Sequence, residues 1–196
     1  MLSRLTTVAI LALSAGLFLA PAAGAATFSG TIQSRATDVS MGGSFAYDTP
    51  DQFSEADLIT GSGSAVFPTN PSLTAILSFQ GMNEVNLGGT PCSFTGVFGE
   101  SETGVNSAWV GSTFALDGPS GSIFEEGVTG SGCYSISTGK FIFSETNTIF
   151  AGTGAYRGAT GSTRITWSGI TLGPPPGGKG VFQWMRGVGT ITLTLP

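Results

Sequence analysis

Phe150-Ala151-Gly152-Thr153-Gly154-Ala155-Tyr156-Arg157-Gly158-Ala159-Thr160-Gly161-Ser162 is the stretch on which the fold reading turns. Gly152, Gly154, Gly158 and Gly161 fall within ten residues. Glycine takes positive φ without steric cost, so this spacing marks tight turns and close backbone approach. Tyr156 stands between the glycine pairs, an aromatic able to plug a barrel end or pack over the turn. Residues 140–150 before the stretch and 163–172 after it are rich in apolar and β-branched side chains. The unit reads as strand, glycine-rich corner, strand.

The same grammar extends along the chain. Residues 190–195 alternate Thr190, Thr192, Thr194 with Ile191, Leu193, Leu195, a clean period of two. Residues 27–39, 58–67, 73–79, 94–98 and 105–116 read as further short strands. Pro68-Thr69-Asn70-Pro71, Asp117-Gly118-Pro119-Ser120-Gly121 and Pro174-Pro175-Pro176-Gly177-Gly178 read as turns or loops. Residues 83–91 read as a loop, and 122–132 as either a short strand or a turn. No helical stripe follows the N-terminal segment. The expected class is all-β, an antiparallel sandwich or barrel.

Phe150-x-Gly152-x-Gly154-x-Tyr156-x-Gly158-Ala159-x-Gly161 resembles the glycine-rich corner of the dirigent and allene oxide cyclase-like barrel superfamily, above all its small secreted bacterial members. The resemblance implies a single antiparallel barrel of about eight strands, with a β-sandwich as the alternative, and Gly152, Gly154, Tyr156, Gly158, Ala159 and Gly161 as a structural corner. It also implies homo-oligomers as an option. No pocket acid of the family maps onto a position here. Two functions are therefore expected side by side. One is a non-enzymatic barrel that binds a small apolar ligand or serves a structural role. The other is a cyclase or stereochemical guide that encloses a hydrophobic substrate.

Arg4 precedes an uncharged apolar run over 5–20, and Pro21-Ala22-Ala23-Gly24-Ala25 supplies a cleavage-type sequence. This predicts a secretory signal peptide over 1–25 and a barrel domain over 26–196, secreted or periplasmic. The run is shorter than the roughly 20 residues of a spanning helix, and no later run is long enough, so no membrane span is expected after its removal. Cys92 and Cys133 both lie in the exported part and are expected to form one disulfide. Charged residues make up only 10% of the chain, against about 25% in an average globular protein, and the formal net charge is −5. Such a chain, acidic and without a basic cluster, argues against nucleic acid as a partner.

The chain has no histidine, which excludes a Ser-His-Asp triad, a Cys-His pair and a histidine metal site. Asp48, Asp51, Glu55 and Asp57 do not follow EF-hand spacing, so neither a metal nor a cofactor is expected. Gly152-x-Gly154 leads into a strand, which removes a phosphate-cradling reading. Among the carboxylates, Glu145 shares parity with Phe141, Phe143 and Ile149. If that face points inward, Glu145 is a buried acid of raised pKa, a candidate for proton transfer. The alternative sets it at a strand end or against Arg157, Arg164 or Arg186. Glu100, Glu102, Glu125 and Glu126 read as solvated loop charges. Trp109, Trp167, Trp184 and Arg186 are the candidate ligand-binding residues, with core packing as the other role for the tryptophans.

Overall fold

Alternation of apolar with Ser, Thr and Gly suits strands with one dry face and one wet face. The computed structural model describes residues 24–40, 53–173 and 182–196. Eight strands run through them: β1 (Ala26–Ser40), β2 (Phe53–Val66), β3 (Ala75–Thr95), β4 (Ser101–Gly118), β5 (Gly121–Tyr134), β6 (Lys140–Gly152), β7 (Thr160–Gly173) and β8 (Phe182–Leu195). Each pairs antiparallel with the next. β1 also pairs with β8, from Ala26 opposite Leu195 to Val39 opposite Phe182, so the sheet closes on itself. Closure removes the free edges that would otherwise template aggregation, and it sets aside the sandwich alternative.

The period of two read at the C-terminus holds: Ile191 and Leu193 are buried and Thr190 and Thr192 are exposed. Other expectations are corrected. Residues 83–91 are not a loop but the middle of β3, paired with β4 through register shifts at Glu84/Val85 and Leu87/Pro91. Residues 122–132 belong to β5. Asp48 and Asp51 of the calcium-loop option lie outside the described residues, as do residues 1–23 of the expected signal peptide, and Glu55 and Asp57 sit in β2. Among the described residues no helix is long and apolar enough to cross a membrane.

One end of the closed sheet is sealed by the glycine-rich corner. Gly154 and Gly158 carry φ of +57° and +75°, and between them a 3-10 turn over Gly154–Tyr156 swings the tyrosine inward. Tyr156 is 1% exposed and belongs to the same buried core cluster as Phe67, Ile123, Ile149, Ile191 and Leu193. Its hydroxyl donates to the carbonyl of Leu73, at 3.3 Å, in the short turn that joins β2 to β3. Ala159 is buried beside it. At the opposite end Lys140 bridges Glu100 at 2.6 Å and Glu102 at 2.8 Å.

A bulge in β5 places the disulfide. The register shifts by one residue between Gly127 and Thr129. Beyond it Gly132 opposes the buried Phe143, and Tyr134 opposes the buried Phe141, so these even-numbered residues take the inner face. Cys133 is thereby turned to the outer side, opposite Ile142, and is bonded to Cys92 of β3, with β4 lying between the two strands in the sheet order. The pair closes a loop of sequence separation 41. In the chain-entropy account such a cross-link stabilises the fold by about 4 kcal/mol. Cys92→Ala/Cys133→Ala should lose that amount in urea denaturation, and a loss under about 1 kcal/mol would show that the unlinked chain is already restrained.

Candidate functional site: an interior pair of acids

The inner face of β6 reads Phe141, Phe143, Glu145, Asn147, Ile149, all buried. Strand parity carries Glu145 inward with its apolar neighbours. β5 contributes Glu125, opposite Phe114 of β4 and Ile149 of β6. β7 contributes Thr163, Ile165 and Trp167, and β1 contributes Ile32 and Ser34. Glu125 is 1% exposed and Glu145 is 2% exposed.

Each carboxyl is held by one of its oxygens. Trp167 Nε1 donates to Glu145 Oε1 at 2.7 Å. Thr163 Oγ1 donates to Glu125 Oε2 at 2.9 Å, and Asn147 Nδ2 reaches the same oxygen at 3.5 Å and Thr163 Oγ1 at 3.3 Å. The other oxygens, Glu125 Oε1 and Glu145 Oε2, are buried without a hydrogen-bond partner, and so is Ser34 Oγ. Ser34, Glu125 and Glu145 line one cavity together with Ile32, Phe114, Leu116, Ile165 and Trp167. Its volume is about 20 Å³, enough for a group the size of one water.

The indole that holds Glu145 needs space cut for it. Gly187 of β8 lies opposite Trp167. A Cβ on Gly187 would stand 2.6 Å from Trp167 Cζ3 and 2.5 Å from Ser34 Oγ. Glycine here therefore acts as a socket for the ring.

The electrostatics follow from burial. Desolvation pushes the pKa of Glu145 up to about 7, against the Trp167 hydrogen bond and the nearby amide of Asn147, which lies too far off for a hydrogen bond to this acid. Desolvation pushes Glu125 up to about 7 as well; the Thr163 hydrogen bond opposes, the charge of Glu145 adds to the rise, and Asn147 opposes. No Lys or Arg is buried among the described residues. Near neutral pH such a pair can present a proton donor and an acceptor side by side in a dry space, the arrangement that general acid–base chemistry uses.

The alternative partners foreseen for Glu145 are not there. Arg157 is exposed in the corner, and Arg164 and Arg186 are exposed because each flanks inward residues, Thr163 and Ile165 for one, Met185 and Gly187 for the other. The candidate ligand-binding residues divide. Trp167 is inside. Trp184 and Arg186 share the outward parity of β8, with Trp184 partly exposed. Trp109 lies in β4 opposite Val85, and its side chain is outside those described. Glu125 is no solvated loop charge. Its inward parity with Ile123 was the available signal, and it becomes visible only once 122–132 is read as strand. Ser34 shares parity with Ile32 and Ala36 in β1. Asn147 and Thr163 carried the same parity signal within β6 and β7.

The fold and site define a class: a closed, eight-stranded antiparallel protein with one disulfide and a pair of interior acids. Comparison with protein-family models, with curated proteins and with solved structures finds no match for this chain.

Proposed function

We propose that this protein is an exported barrel that takes a small, largely apolar ligand into its interior against Glu125, Glu145 and Trp167. The observation that carries the reading is the pair of buried carboxyls, each with one oxygen unpartnered and both lining the same apolar-walled cavity. Unpaired buried acids oppose folding, and a purely structural barrel would be more stable with apolar residues of similar volume there. Such groups, perturbed by desolvation and set in a cavity, are what binding and catalytic sites contain. The apolar run and cleavage-type sequence before residue 26 support export, and the disulfide suits an oxidising compartment. The likeness of the corner to dirigent and allene oxide cyclase-like barrels agrees with an enclosed interior site.

A second reading is favoured by one observation, the shift of both acids to about 7. One protonated and one ionised carboxyl can move a proton on an enclosed hydrophobic substrate, as a cyclase or isomerase requires, with Glu145 as the candidate catalytic group. The ligand reading is tested by amide NMR of the protein from residue 26 onward, titrated with n-propanol, propionamide and n-propylammonium chloride. Saturable shifts at Ser34, Glu125, Glu145 and Trp167 with any of the three are the expected result. Shifts confined to outward residues, or none at all, refute it.

A further inference from the structure

Three residues that line the interior cavity each carry a buried oxygen without a partner, Glu125 Oε1, Glu145 Oε2 and Ser34 Oγ; Asn147 Oδ1, beside Glu125 but outside the lining, is also unpartnered. The three lining residues come from β5, β6 and β1 and are at least nine-tenths buried. Each of their three oxygens can accept a hydrogen bond. The walls otherwise are Ile32, Phe114, Leu116, Ile165 and the indole of Trp167, with Gly63 and Ser64 of β2 completing them. The space of about 20 Å³ admits a head group of water size and excludes an aromatic ring.

Resting on the interior-ligand reading above, we infer that the ligand presents a primary ammonium head, as the free ion or on a short alkyl chain. An –NH₃⁺ group has three N–H donors, one for each unpartnered oxygen. It brings the positive charge that two buried acids otherwise lack, and charge-assisted hydrogen bonds are about twice as strong as neutral ones. The space holds the head alone, so an alkyl chain would have to part the aliphatic walls. The acidic surface of the chain, with formal net charge −5, draws cations toward it. A hydroxyl head has one donor and no charge, so it satisfies the site less well.

Binding of this kind competes with protons for the carboxyls. Among the described residues, the titratable groups facing the cavity are Glu125 from β5 and Glu145 from β6. The described residues of β1, β2, β4, β7 and β8 at this level, Ser34, Gly63, Ser64, Phe114, Leu116, Thr163, Trp167 and Gly187, do not titrate in the range, and Tyr156 stands at the sealed end. Affinity should therefore rise at least tenfold from pH 5.5 to pH 8.5.

The test is calorimetry and amide NMR at both pH values with n-propylammonium, ammonium chloride, n-propanol, propionamide and trimethylpropylammonium, which keeps the charge and lacks N–H donors. The expected result is n-propylammonium or ammonium binding at least tenfold tighter than the neutral probes at pH 8.5, with no binding of trimethylpropylammonium. Equal affinity for ammonium and n-propylammonium would assign the free ion, and tighter n-propylammonium would assign an alkylammonium. Ser34→Ala and Glu145→Gln should each weaken binding about tenfold, and the first removes an acceptor without touching the acids. Neutral probes binding as tightly as n-propylammonium would overturn the ammonium head and leave the interior ligand site standing. Binding by none of the probes would overturn both.

Discussion

Glu145→Gln should raise stability at pH 8 on the order of 3 kcal/mol and remove part of its dependence on pH, and Glu125→Gln should do the same. Both acids have a folded pKa near 7 against an ordinary value of 4.5. Between those values the folded state binds more protons than the unfolded chain. Stability therefore falls as pH rises from 4.5 to 7 and levels off above, where the full cost of the buried charge is present. Glu100 and Glu102 act in the opposite sense. Hydrogen bonds from Lys140 hold both below the ordinary range, so their contribution is present above 4.5 and is lost as pH falls further. The wild type should be most stable a little above pH 4.5, and urea denaturation from pH 4 to 9 would locate that maximum. A profile that is flat from 5 to 8 in the wild type would mean that water reaches the acids. Glutamine keeps the shape and the hydrogen-bonding capacity of the side chain, which separates the loss of charge from the loss of packing.

The second large effect belongs to the sealed end. Tyr156→Ala should cost about 3–5 kcal/mol, the usual range for deleting a buried aromatic. In a chain of this size that lowers the melting temperature by roughly 10 °C or more. Tyr156→Phe keeps the ring and removes only the hydroxyl donated to the Leu73 carbonyl, so it should cost about 1 kcal/mol. A Tyr156→Ala loss no larger than that of Tyr156→Phe would show that the ring does not seal the core. The comparison also asks whether the short turn after β2 depends on β6 and β7, since that hydrogen bond spans 83 residues of sequence.

What the sequence made legible was local. Ile191 and Leu193 announce their strand through alternation alone, and the corner glycines announce turns because positive φ is nearly theirs alone. Glu145 could be set on the same face as Phe141 and Phe143, because parity within one strand is unbroken there. Its surroundings could not be read. Whether that face is inside depends on β5 and β7, and the arginines offered as partners face outward for reasons visible only in register. Residues 83–91 misled because Gly88-Gly89 looks like a loop, while the structure absorbs the irregularity as register shifts within a continuous strand. The Glu125–Thr163 contact joins residues 38 apart, and no spacing rule connects them.

The extra residue in β5 works as a phase shifter. Before it, odd-numbered Ile123 and Glu125 address the interior; after it, even-numbered Gly132 and Tyr134 do. One strand thus writes two messages in different reading frames. The first frame delivers an acid to the cavity, and the second delivers Cys133 to the outer face of the sheet, where it is 5% exposed and bonded to Cys92. Removing one residue at the shift would merge the frames, so that a strand still able to pair could keep the acid or the disulfide in place, but not both.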